Sequence, residues 1–192
     1  DLKSTGGGAE GVVYFRSDSS RHTIRTGTMT LYDNFMISVD ASSFGPGSTS
    51  GVQLGSGSGA GGLNNQGLYD VRLTGDGVLS LGDNSASLTG NRTFSVGDGT
   101  VRALHNGAFG ANTITATLRS TGALEIATSN FVPTATLVQE PGSIERWAVG
   151  DARGTGNYSL ASGVHLQLFT DVTGTRTIDL AGGSIMGYLP LD

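Results

Sequence analysis

Apolar residues recur at every second position in short runs, and each run is answered across a glycine-bearing turn by another of the same kind. Val71-Arg72-Leu73 leads through Thr74-Gly75-Asp76-Gly77 into Val78-Leu79-Ser80-Leu81. Phe94-Ser95-Val96 leads through Gly97-Asp98-Gly99 into Val101-Arg102-Ala103, and Ala116-Thr117-Leu118 leads through Arg119-Ser120-Thr121-Gly122 into Ala123-Leu124-Glu125-Ile126. A period of two sends alternate side chains to opposite faces, which predicts strands with one buried face. Gly77, Gly99 and Gly122 lie 22 and 23 residues apart (99 − 77, 122 − 99), so the phrase is a repeat in the solenoid range.

The same phrase extends in both directions. Upstream are the apolar run Val12 to Phe15, the segment Thr23 to Leu31 with its central glycine, and Ile37-Ser38-Val39. Downstream are Ala135-Thr136-Leu137 with Gly142 and Ile144, Tyr158-Ser159-Leu160 with Gly163 and Val164, and Ile178-Asp179-Leu180 with Gly183 and Ile185. One glycine per copy (Gly27, Gly51, Gly77, Gly99, Gly122, Gly142, Gly163, Gly183) gives steps of 24, 26, 22, 23, 20, 21 and 20 residues. No stretch carries a sustained 3.6-residue period with caps, so the class is all-β. Strands recurring this often, with turns too short for a helix, coil into a parallel β-solenoid of about eight rungs of 20–26 residues. Rungs stack about 4.8 Å apart. The whole of 1–192 is read as a single solenoid domain or a fragment of a longer one, regular over 70–188 and irregular over 11–69. A Gly/Ser-rich stretch at 42–62 is either an expanded turn or else a binding loop or inter-domain hinge.

Composition narrows the partners. There are 32 glycines and 4 prolines, charged residues are only 14%, and the net charge is −5. Without a basic cluster, neither nucleic acid nor an anionic membrane is an expected partner. No apolar run is long enough to span a bilayer as a helix. There is no cysteine, the histidines His22, His105 and His165 fall in different rungs and phases, and no acidic cluster has ligand spacing. Neither a metal nor a cofactor is expected, and no catalytic residue is assigned. Asp76 and Asp98 read as stacked Asp-Gly turns.

Two constellations remain. Asn34, Asn84 and Asn106 each follow their rung glycine by seven residues, and Asn130 follows Gly122 by eight. They read as a structural ladder at a corner, in which an amide bonds its counterpart one rung away. The densest charged and aromatic patch is Ile144 to Arg153, with the single tryptophan Trp147 beside Arg146, Asp151 and Arg153. Trp147 is either a core residue or an exposed platform for a sugar ring or protein side chain.

The phrase Thr-apolar-x-apolar-x-x-Gly-x-apolar-x-apolar, in a cysteine-free chain rich in Gly, Ser, Thr and Asn, resembles the autotransporter-associated β-strand repeats of large bacterial surface proteins. The resemblance covers residues 70–188 well and 11–69 loosely. It implies a right-handed, pectin-lyase-like parallel β-helix that is extracellular or displayed at the cell surface. The C-terminal membrane barrel of a complete autotransporter is not in this sequence. The function expected on this basis is structural and adhesive: a stalk, fibre or contact surface for a glycan or protein, with end-to-end self-association or further rungs of the same chain. The alternatives are a polysaccharide lyase or hydrolase, or a carbohydrate-binding module, on the same coil; an enzyme would need two converging carboxylates, or a carboxylate with a basic residue.

Overall fold

The alternation along the chain becomes strands because a period of two presents one apolar face per arm, and that face is buried only when the next arm stacks on it. In the computed structural model the chain is all-β, a parallel β-solenoid with no helix among the described residues. Those residues are 11–16, 21–24, 28–30, 32–40, 51–54, 62–64, 69–82, 88–89, 93–109, 115–133 and 135–187. In chain order the strands are β1 (Gly11–Arg16), β2 (Arg21–Ile24), β3 (Thr28–Thr30), β4 (Phe35–Asp40), β5 (Gly51–Leu54), β6 (Gly62–Asn64), β7 (Val71–Thr74), β8 (Val78–Leu81), β9 (Leu88–Thr89), β10 (Thr93–Val96), β11 (Thr100–Ala103), β12 (Thr115–Leu118), β13 (Ala123–Ile126), β14 (Thr136–Gln139), β15 (Ile144–Trp147), β16 (Tyr158–Ser159), β17 (His165–Leu168), β18 (Ile178–Asp179) and β19 (Ser184–Gly187).

These strands make two long walls. The first is the six-stranded sheet β1-β4-β7-β10-β12-β14, and the second is the eight-stranded sheet β2-β5-β8-β11-β13-β15-β17-β19. Short sheets β3-β6-β9 and β16-β18 complete the set, and every pairing is parallel. The first wall is interrupted between β14 and β16, which are not paired. Fewer turns are therefore closed continuously on both walls than the eight counted from glycines. The 42–62 stretch lies largely outside the described residues, but 51–54 is a strand whose Val52 and Leu54 are core.

Register fixes the interior. In the second wall Val52, Leu79, Val101 and Leu124 form one inward column, and Leu54, Leu81, Ala103 and Ile126 form the next. Phe35, Val71, Phe94 and Ala116 oppose them from the first wall. In the corner after β11, the buried ring of Phe109 sits 6.1 Å from that of Phe94 and 6.4 Å from that of Phe131. Each rung buries its apolar side chains on those above and below, at roughly 25 cal/mol per Å².

The turn glycines do not form one column. Gly77, Gly99, Gly122 and Gly183 share a register position, which Ser143 and Val164 fill in the intervening rungs. Gly142 and Gly163 fall one residue earlier, and the reason is local. Gly142 is the third residue of a turn in which the Ser143 N–H donates to the Glu140 carbonyl (3.0 Å), and its φ of +90° is one that glycine adopts without strain. At Gly122 the requirement is space, because a Cβ there would lie 2.6 Å from the Val96 carbonyl oxygen.

Candidate functional site

β15 reads Ile144-Glu145-Arg146-Trp147, and alternation alone leaves open which pair turns inward. Pairing decides it: Glu145 stands between Leu124 and Leu166, and Trp147 between Ile126 and Leu168. A carboxylate thus occupies an inward column that is apolar in the neighbouring rungs, and both Glu145 and Trp147 are 0% exposed. Burying a lone carboxylate costs several kcal/mol, so the fold must supply partners.

It supplies them from three directions. Arg153 reaches back from the corner after β15 and donates through Nε (3.0 Å) and Nη2 (2.8 Å) to the two oxygens of Glu145, a bidentate pair. The Trp147 indole Nε1 donates to Oε1 at 2.7 Å, and the Tyr158 hydroxyl donates to Oε2 at 3.1 Å. The guanidinium of Arg153 lies 5.1 Å from the ring centroids of both Phe131 and Tyr158, and its Nη1 donates to the Phe131 carbonyl. On the far side of Trp147, Arg176 stacks at 5.4 Å and donates through Nη2 to the carbonyls of Thr173 and Gly150. The cluster lies where the first wall breaks between β14 and β16, the strand that carries Tyr158.

The electrostatics follow from these contacts. Burial would raise the Glu145 pKa, but the charge of Arg153 and the hydrogen bonds from Arg153 and Trp147 overcome it and hold the carboxyl below its ordinary value. Burial likewise works against the Arg153 cation, and Glu145 more than offsets it, raising its pKa. Tyr158 is pushed up by burial and then by the Glu145 charge, so its hydroxyl stays protonated. Four donated hydrogen bonds occupy the carboxylate. This arrangement fixes protons in place and ties three segments together, which is a structural task.

The patch expected at Ile144 to Arg153 is therefore not one surface. Trp147 is wholly buried, which corrects its reading as a contact residue, because a side chain that stacks in the core has no face left over; the Arg153 side chain, 8% exposed, is spent on Glu145. Arg146 points outward and donates to Gln167 Oε1 (2.9 Å) and Thr100 Oγ1 (2.6 Å). Asp151 sits at the corner and accepts the Ser129 hydroxyl (2.7 Å). Glu145, Tyr158 and Arg176 were missed from the sequence, and the available signal was the column Leu124, Glu145, Leu166.

Among the described residues Asn34, Asn106 and Asn130 do not form an amide-on-amide ladder. Asn34 Oδ1 accepts the Asp70 N–H (3.0 Å) at the entry to the first wall, whereas Asn106 Oδ1 accepts the Val132 N–H (3.2 Å) at a different corner. Asn130 takes a left-handed φ of +53°, and its N–H donates to the Asp151 carbonyl. Ala103 pairs with Ile126, an offset of 23 (126 − 103), while Asn130 follows Asn106 by 24 (130 − 106), so the two amides are out of phase. Asn84 lies outside the described residues.

Among the described residues no group of three or more His, Asp or Glu side chains is placed to hold a metal ion. Among the described residues no helix is long and apolar enough to cross a membrane. Comparison with protein-family models, curated proteins and solved structures finds no match to this chain.

Proposed function

We propose that the chain is a structural segment of a secreted or surface-displayed solenoid, a stalk or fibre unit that acts through its walls and its ends. The supporting observation is the last described rung. Leu166 is 1% exposed, yet Ile185, the next residue in the same inward column, is 47% exposed, and all four residues of β19 are exposed. An unpaired edge with an open apolar column accepts another strand. A second copy displaced along the coil axis is the occupant of matching shape. β2 of the second copy, four residues long like β19, would then continue the second wall in parallel. In a longer chain, a further rung would take the same place. The secreted or surface location rests on the resemblance of the repeat to bacterial surface proteins.

The test is sedimentation across a concentration series with electron microscopy, for the parent and for Ile185→Lys. Rods that lengthen with concentration in the parent and vanish in the variant are expected. A parent that stays monomeric throughout would refute end-to-end stacking. The expected end strand at Val12 to Phe15 is present as β1, but the side chains of Val13 and Phe15 lie outside the described residues, so the substitution is placed at Ile185.

A further inference from the structure

The sequence holds one asparagine followed by glycine, Asn106-Gly107. The fold sets it at the corner after β11, in a turn closed by the Ala108 N–H on the His105 carbonyl (3.1 Å). Two contacts at this corner converge on the atoms of a single reaction. The Gly107 N–H donates to His105 Nδ1 at 3.2 Å, so the imidazole presents an unprotonated nitrogen to that amide. The Asn106 side-chain oxygen accepts the Val132 N–H of the next rung at 3.2 Å. His105 and Asn106 are half-buried, within reach of solvent. Bonding the Gly107 nitrogen to Asn106 Cγ closes a five-membered ring, and glycine has no side chain to crowd the approach.

We infer that Asn106 is a self-modifying site, at which the folded chain converts asparagine through a succinimide to aspartate and isoaspartate, with water as the co-reactant. The Gly107 nitrogen passes its proton to His105 Nδ1, within the reach required of a general base, and its electron pair forms the bond to Asn106 Cγ. Negative charge moves onto the side-chain oxygen, where the Val132 N–H already points, as in an oxyanion hole. The adduct then collapses: the Cγ–Nδ2 bond breaks, the imidazolium returns the proton to the leaving nitrogen, and ammonia departs. Water adds to one of the two ring carbonyls. Attack at Cγ restores the ordinary backbone as aspartate, whereas attack at the backbone carbonyl leaves isoaspartate, with the chain routed through Cγ. No oxidation state changes.

The two products differ in consequence. Aspartate keeps an oxygen for the Val132 N–H. Isoaspartate lengthens the backbone just before Ala108 and Phe109, both fully buried, and so displaces the ring that sits between Phe94 and Phe131.

The experiment incubates purified chain at neutral pH and physiological temperature, with peptide mass mapping for loss of the amide and enzymatic methylation to detect isoaspartate. Folded parent is expected to convert at Asn106 before any other asparagine. His105→Gln, which retains an acceptor but no base, is expected to slow conversion several-fold at equal folded fraction by circular dichroism. Should that variant not fold, Val132→Pro removes the oxyanion donor at a position 71% exposed and carries the same expectation. An Asn106 amide that persists in the folded chain while being lost from chain held in urea would overturn the inference. So would equal rates in parent and variant.

Discussion

Arg153→Met tests whether the interior really carries a paired charge. Methionine keeps an unbranched stem between the rings of Phe131 and Tyr158 but removes the cation from a carboxylate that is 0% exposed. Breaking a buried pair by deleting one partner costs about 3–5 kcal/mol, because the remaining charge is stranded. Removing both charges in Glu145→Leu with Arg153→Met strands no charge, but it leaves the Trp147 indole N–H and the Tyr158 hydroxyl without their acceptor, at about 1–3 kcal/mol each. Adding Tyr158→Phe removes one of those orphans. The triple variant is therefore expected within about 1–3 kcal/mol of the parent, and more stable than the single change. Urea unfolding followed by fluorescence measures this directly, since Trp147 is the only tryptophan and its indole touches the carboxylate. A loss below about 1 kcal/mol for Arg153→Met, the value of a solvated surface pair, would refute the reasoning. So would a triple variant no more stable than the single one.

Three further outcomes follow from the same contacts. The folded pKa of Glu145 lies below its unfolded value, so its contribution is complete above roughly pH 4.3 and is lost as pH falls toward the folded value; Glu145→Gln should flatten that acid limb of the urea midpoint, and an unchanged slope would count against the pair. Gly122→Ala drives a Cβ to 2.6 Å from the Val96 carbonyl oxygen and should cost about 1–3 kcal/mol in thermal melts, while Gly156→Ala, with nothing within 4 Å, should be neutral; equal melting points would contradict the register. Ser143 is fully buried with no hydrogen-bond partner for its hydroxyl, so Ser143→Ala should raise stability by about 1 kcal/mol, and a clear loss would show that the hydroxyl is satisfied.

The walls could be read from the sequence because alternation and repeat agree there: Val71-x-Leu73, Phe94-x-Val96 and Ala116-x-Leu118 each have one buried face and one turn. The phase was harder to read where turns change type. A glycine needed for its positive φ, such as Gly142, and one needed for its missing Cβ, such as Gly122, look alike in a sequence but stand one residue apart in register. Counting glycines therefore set the rungs of Gly142 and Gly163 one step out, while Gly183 returns to the register of Gly122. The buried cluster was hidden for a related reason. In Ile144-Glu145-Arg146-Trp147 the hydrophobic preference of the first pair conflicts with that of the second, and only stacking on Leu124 and Ile126 shows that tryptophan decides the facing and carries Glu145 inward. Arg153 and Tyr158, which make that facing tolerable, are 8 and 13 residues further along, beyond the reach of any local pattern.

The break between β14 and β16 gives the coil an uneven resistance to tension. Elsewhere, pulling one rung from the next along the axis loads two parallel ladders side by side, which share the force. At the break the first wall contributes no ladder, so the strain passes through β15 and β17 of the second wall, through the Gly142 N–H on the Gly163 carbonyl and the Thr173 N–H on the Gly150 carbonyl, and through the side-chain tie from Tyr158 to Glu145. A coil under load would yield first at that level, with the segment from β16 onward peeling away around the second wall as a hinge.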